Sequence, residues 1–330
     1  MIEVKKKIGI PIYKQIISTI ENAIEKGELK KGDKLPSINT IKDKNQLSRD
    51  TVLTAFNELK NRGIIQSIVG KGYYVSSENI NVHQKVFLLF DELNSFKEDL
   101  YNSFLENLNH NIEVDIYFHH FNETIFQKLI RDNAGDYNSY VIMPANFQNT
   151  IHTIQLLPKD KVYILDQIHK DLKDFPSVYQ NFEKAIYNNL NNASEYISKY
   201  KKLKLVFSEL KQPKGILKGF TKFCEEKLIP YEILKKIEDN SLEKDELYIL
   251  LDDKSLLKII KKMKMQNFSL ANDIGVISYN DTLLKEIVEG GITTITTDFN
   301  EMGKNLAKMI LNKENKKIEN PNKLIIRNSI

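Results

Sequence analysis

"LSRDTVLTAFNELKNRGII", residues 47–65, is the stretch on which the reading of the amino-terminal region turns. Val52, Leu53, Ala55, Phe56 and Leu59 fall on one side of a helix. Ser48 stands at the N-cap position and Gly63 provides the stop. The first turn, Ser48-Arg49-Asp50-Thr51, consists entirely of hydrogen-bonding side chains. Such a turn either caps a core helix and nothing more, or presents its groups to another molecule. The flanking sequence decides between the two.

Upstream, "PIYKQIISTIENAIEKG" (11–27) places Ile12, Ile16, Ile20, Ala23 and Ile24 on one helical stripe between Pro11 and Gly27. "KGDKLPS" (31–37) reads as a turn, with Ser37 as the N-cap of a short helix to about Lys44. Downstream, "IIQSIVGKGYYV" (64–75) reads as two short strands about a glycine turn. Helix, short helix, helix and hairpin within about 70 residues make a winged helix-turn-helix, whose recognition helix offers its first turn to the major groove. Arg49 suits guanine or phosphate, and Ser48 and Thr51 suit phosphate oxygens. Gly70 and Gly72 let the wing backbone approach phosphates, and Lys71 adds charge.

Charge distribution agrees. Residues 1–80 hold 14 Lys/Arg against 9 Asp/Glu, a net of +5, and the remainder holds 34 against 35. A small basic head on a near-neutral body points to a polyanionic partner. Hydrophobic content of 41% and charged content of 28% are those of a globular chain, and 330 residues exceed one small core. Cys224 is the single cysteine, which suits a reducing compartment. Lys5–Lys7 are followed by no apolar run of signal-peptide type, and no membrane span is expected. The expected location is cytoplasmic.

"PIYKQI", "IEKGELKKGDKLPS", "LSRDTV", "LKNRGII" and "GKGYYV", in this order, resemble the DNA-binding domain of the GntR family of bacterial transcription regulators. The resemblance implies a homodimer on a short operator DNA, recognition helices in the major groove and wing tips at the minor groove. It carries the DNA contacts to Ser37, Asn39, Ser48, Arg49, Asp50, Thr51, Gly70, Lys71 and Gly72. Asn39 and Leu53 stand where relatives carry arginine, so the burden shifts to Arg49 and the wing.

Residues 77–84 read as a polar linker between a head (1–76) and a body (85–330). In the body, apolar runs alternate with amphipathic stretches, which is the pattern of doubly wound parallel sheets with ligands beyond the strand ends. About 245 residues suit two lobes. Polar pairs close four of the runs: Asp91 and Glu92, Asp166 and Gln167, Asp252 and Asp253, Asn280 and Asp281. Singly, each could cap the next helix; together they would line a crevice with acceptors for a polyhydroxyl ligand. Adjacent carboxylates do not make a separated acid/base pair, and no catalytic apparatus, metal set or cofactor motif is read. "HHFN" (119–122) and Cys224 read as local structure and core.

"DIGVISYND", "GITTITTDFNEMGKNLAKMIL" and "NKLIIRNSI", within residues 273–330, resemble the effector domain of the lactose-repressor family. This implies a two-lobed α/β, periplasmic-binding-protein-like fold, three crossovers and a small ligand between the lobes. Carried over by position, the ligand residues are Asp252, Asn280 and Phe299, with Asp91, Asp166, Gln180 and Asn181 beside them. The family's cleft-helix arginine falls at Ile216, so a neutral monosaccharide effector is expected. The whole chain resembles sugar-responsive regulators of the kind found in Bacteroidetes. The alternatives are a regulator with an unresponsive crevice and, further off, a carbohydrate-processing enzyme.

Overall fold

The computed structural model describes residues 4, 11–80, 84–109, 112–237 and 242–330; Lys5–Lys7 and part of the expected linker, 81–83, lie outside the described residues. In the head, α1 (Ile12–Glu25), α2 (Ile38–Asn45) and α3 (Arg49–Asn61) precede an antiparallel hairpin, β1 (Ile65–Ile68) and β2 (Gly72–Val75). Ile16, Ile20, Ile41, Val52, Phe56, Leu59 and Val75 bury almost completely in one core. Leu53, expected on the apolar face, is only half-buried and is not part of that core. The "KGDKLPS" segment is more than a turn. Val75 N–H donates to Asp33 O at 2.9 Å and Leu35 N–H to Tyr73 O at 2.8 Å, so it pairs with β2.

The body consists of two lobes, each with a six-stranded sheet. The first lobe contains β3 (Gln84–Phe90), α4 (Ser95–Glu106), β4 (Ile112–Phe118), α5 (Glu123–Asp132), β5 (Ser139–Ile142), α6 (Ile151–Ile154), β6 (Val162–Asp166) and β7 (Ser177–Tyr179). The second contains α7 (Phe182–Asn192), α8 (Ser194–Ile197), β8 (Lys202–Val206), α9 (Lys214–Glu226), β9 (Tyr231–Leu234), β10 (Glu246–Leu250), α10 (Asp253–Met265), β11 (Ile274–Tyr279), α11 (Leu283–Ile287) and β12 (Thr293–Thr297). The chain then returns to the first lobe for α12 (Phe299–Leu311) and β13 (Lys317–Glu319), and crosses again for β14 (Asn322–Ile325). The orders are β13-β7-β6-β5-β3-β4 and β14-β12-β11-β10-β8-β9. Pairing is parallel except where β14 runs antiparallel to β12.

The three crossovers are tied to one another by Asn320, which is 1% exposed. Its N–H donates to Tyr179 O at 2.7 Å, and its side-chain amide donates to Thr297 Oγ1 at 2.9 Å and Asp298 O at 2.7 Å. Two helix pairs flank this hinge through glycines. A Cβ on Gly219 would meet Glu183 O at 2.4 Å, and one on Gly303 would meet Leu100 O at 2.4 Å. α9 therefore packs backbone-close on α7, and α12 on α4. Strands β7, β9, β13 and β14 escape the apolar-run reading because each spans only three or four residues and carries polar positions. Cys224 is fully buried, and burial pushes its thiol up to about 12. His119 is enclosed by Phe126 and Phe147, with Nε2 at 3.1 Å from Met143 O, and Asn122 caps α5. No helix among the described residues is long and apolar enough to cross a membrane.

Candidate functional site

Two surfaces carry the expected chemistry. On the head, Ser48 Oγ accepts the Thr51 N–H at 3.1 Å and lies 2.8 Å from the Thr51 hydroxyl. Ser37 and Thr40 repeat the arrangement at α2, at 3.1 and 2.7 Å. The serines are thus N-caps first, and their hydroxyls are largely occupied. Arg49 and Asp50 are exposed beside them, and Arg49 makes no ion pair within the described residues. Asn39 is exposed on the first turn of α2. In the wing, Gly70 (φ +74°) and Gly72 (φ +107°) hold left-handed conformations that a side chain would strain, which brings the tip round with Lys71 exposed. Lys34, absent from the expected contacts, lies beside this wing, 5.9 Å above the Tyr74 ring. Its neighbourhood follows from the β2 pairing of the loop, which residue spacing does not reveal.

In the body, the strand ends of both lobes open on one crevice of about 710 Å³. Such a volume accommodates a small organic molecule. Asp91, Asp166, Gln180, Asp252, Asn280 and Phe299 line it. Asn181 does not: its Oδ1 caps α7 at Lys184 N (3.2 Å) and its amide donates to Glu319 Oε2 (3.3 Å). It follows Gln180 and turns to the neighbouring cavity. In the second lobe, only the first member of each polar pair faces the crevice. Asp253 pairs with Lys285 at 3.1 Å, and Asp281 grips Arg327 through two bonds of 2.6 and 2.8 Å.

Asp166 and Asn280 occupy matching places, one per lobe, and both adopt positive φ, +73° and +60°. Asn and Asp tolerate this region better than other side-chain-bearing residues, which accounts for their type at these bends. Lys285, buried, supports the Asn280 bend by donating to Tyr279 O and Asn280 O at 2.7 Å each. Asn280 Oδ1 is buried without a partner among the described residues. Asp166 is linked across the hinge: Gln180 Nε2 donates to Asp166 Oδ1 at 2.6 Å, and Tyr279 O–H donates to Gln180 Oε1 at 3.3 Å. Burial pushes the Asp166 carboxyl up to about 6, with Lys97 opposing and Asp91 assisting. Phe299 stacks obliquely on Phe96, ring centres 4.9 Å apart, and gives the crevice an apolar wall.

The remaining groups are more committed. Asp91 pairs with buried Lys97 and accepts the Glu92 N–H at 2.6 Å. Asp252 spends one oxygen on Ser255 N and the other on Ser255 Oγ, both at 2.8 Å, so it is a helix cap. Glu92 pairs with Lys211 at 3.2 Å. Lys235, Lys236, Lys254 and Lys258 also line the crevice, from the second lobe. None of these four was expected from the sequence. In a lysine-rich chain nothing local marks them.

Comparison with known proteins finds a match for the head and another for the later part of the body. The family of bacterial regulatory proteins called gntR matches residues 12–75, and a periplasmic-binding-protein-like domain matches residues 199–330. The HTH-type transcriptional repressor YtrA of Bacillus subtilis is 34% identical over 100 residues, 30% of this chain and 73% of that protein. The mannosyl-D-glycerate transport/metabolism system repressor MngR of Escherichia coli is 39% identical over 82 residues, 25% of this chain and 34% of that one. A LacI family transcriptional regulator from Silicibacter pomeroyi superposes with a TM-score of 0.62 at 16% identity, covering 74% of this chain and 98% of the other. A dimeric Lac repressor with a C-terminal deletion gives 0.61 at 12% identity, over 74% and 98%. At these identities the structural likeness is one of fold.

Proposed function

Since the chain belongs to the gntR family of bacterial regulatory proteins, we propose that it is a dimeric regulator whose operator affinity is set by a small polyhydroxyl ligand, of the sugar kind, closing the crevice. DNA binding through a winged head and a LacI-like effector domain are its general character. The observation that carries the finer reading is the pairing of Asp166 and Asn280. They offer acceptors from opposite lobes, one of them an unpartnered buried oxygen, beside the Phe96–Phe299 wall. Sugar hydroxyls need such partners, and an aromatic ring packs on the sugar's apolar face.

The crevice is read as a receptor, since the carboxylates facing it make poor acid/base pairs. Asp91 is tied to Lys97 and Asp252 to Ser255, which leaves Asp166 without a free carboxylate opposite among the described residues. A route from crevice to DNA is short. Lys60, at the end of α3, pairs with Asp136 of the first lobe at 2.8 Å, and Gly63 rests on the Lys85 side chain at the start of the body. Motion of the first lobe therefore acts on the recognition helix itself. Leu283 and Ile287 on α11, 78% and 77% exposed, suit an interface between second lobes. Two heads must then sit about 34 Å apart, one DNA turn. The site of action is the cytoplasm, where the operator is.

Fluorescence anisotropy on operator DNA, with and without a sugar panel, tests this. A coupling of about 1–3 kcal/mol corresponds to a 5- to 150-fold change in operator affinity. Unchanged affinity with every sugar at saturating concentration would overturn effector control.

A further inference from the structure

We propose that the effector is anionic: a sugar phosphate or sugar acid whose hydroxyls meet Asp166 and Asn280 and whose anion meets the lysines of the second lobe. This rests on reading the crevice as a sugar site, and it departs from the neutral ligand expected from Ile216. Among the described residues, the charges lining the crevice are six lysines, at 97, 211, 235, 236, 254 and 258, against four carboxylates, at 91, 92, 166 and 252. Two pairs cancel locally, Lys97 with Asp91 and Lys211 with Glu92. What remains is asymmetric. Lys235 and Lys236 follow β9, and Lys254 and Lys258 lie one turn apart on α10, all on the second-lobe wall. Among the described residues, the carboxylate nearest them along the chain that also lines the crevice is Asp252, and both its oxygens already accept from Ser255. That cap also occupies the start of α10, so the lysines rather than the helix end supply the free positive charge.

α10 carries lysines further along too, of which Lys261 is exposed and Lys264 pairs with Glu289 at 2.5 Å. Lys254 and Lys258 differ by facing the crevice, where like charges at helical spacing repel. Closing the lobes on a neutral sugar would strip water from these ammonium groups without a counter-charge, which opposes closure. A ligand with hydroxyls at one end and an anion at the other turns the same closure into a favourable step. It would place the anion where lysines outnumber carboxylates and the hydroxyls where acceptors lie.

Calorimetry on the full chain, with hexoses and pentoses as matched sets of free sugar, terminal monophosphate and uronate, and with inorganic phosphate, tests the proposal. Within at least one set the charged member should bind ten times tighter or more than its neutral parent, and added salt should erode the difference. Lys254→Gln with Lys258→Gln should weaken the charged ligand about tenfold per lysine and leave a neutral sugar bound as tightly as before or more tightly. Both positions are exposed, so thermal stability should hold and serves as the control. The monophosphate and uronate arms separate the two anions. A neutral sugar binding as tightly as its charged partners, indifferent to the double substitution, overturns the anionic reading and leaves the sugar reading standing. Inorganic phosphate binding as tightly as every sugar phosphate overturns the two-ended ligand. No binding by any sugar, charged or neutral, overturns the underlying assignment of the crevice.

Discussion

The head and the body solve recognition in opposite ways. The residues expected to meet DNA cluster in a few short stretches of the head, with Arg49, Asp50 and Lys71 exposed on a scaffold built from capped helices. The crevice draws Asp91, Asp166 and Asn280 from distant parts of the chain, and its groups are mostly already bonded to one another. A polymer read by many weak contacts needs accessible groups on a rigid element. A small ligand gripped between lobes needs preset acceptors whose remaining valences point inward.

Four experiments would break or sharpen this contrast. The largest effect belongs to the head core: Phe56→Ala removes a fully buried ring and should cost about 3–5 kcal/mol. Denaturant unfolding should then show the head melting early while the body still binds ligand; a single common transition would mean the two regions are one cooperative unit. Next comes Asp166. Its folded carboxyl titrates at about 6 against 3.8 in the open chain, so folding is favoured below about pH 4 and the contribution is lost as pH rises through 6. A loss of at most about 3 kcal/mol follows from a shift of that size. Asp166→Asn should remove this pH dependence between 4 and 6, read by urea unfolding across that range; an unaltered profile would show that the group is not held so. Third, Arg49→Ala should weaken operator binding by about ten- to a hundredfold with no change in Tm. Equal binding would take α3 out of the groove. Smallest is Lys60→Gln, which loses a half-exposed ion pair worth about 1 kcal/mol or less. Operator affinity without ligand should barely move, while the response to ligand shrinks; a full response would rule out this contact as the route.

The same contrast governs what could be read from the chain. Helices α1, α2 and α3, the wing and both serine caps follow from local spacing, because a small domain with short connections satisfies its backbone nearby. That Leu53 stays half-buried and outside the core was not legible, since helical periodicity alone does not say how wide the buried face is. In the body, the apolar strands were legible but the short hinge strands were not, as β7, β13 and β14 exist by pairing with distant partners. The strand-end acids were found, and a helix cap was weighed for each, as Asp252 provides with Ser255, yet the pairings of Asp253 with Lys285 and of Asp281 with Arg327 were not. Those bonds depend on which way a bend turns. Lys254 and Lys258 were invisible for a plainer reason, because a lysine facing a cavity and one facing solvent have the same letter.

The three crossovers also set an order of events during synthesis. The head is complete in sequence once Val75 has been made, but neither sheet of the body is. The first lobe waits for β13 at Lys317–Glu319 and the second for β14 at Asn322–Ile325, and Asn320 joins the hinge between them only then. Domains fold from the amino terminus as the ribosome proceeds at about 5–20 residues per second. For the time taken to make some 240 further residues, on the order of tens of seconds, the head is therefore attached to a body whose two sheets both lack a strand.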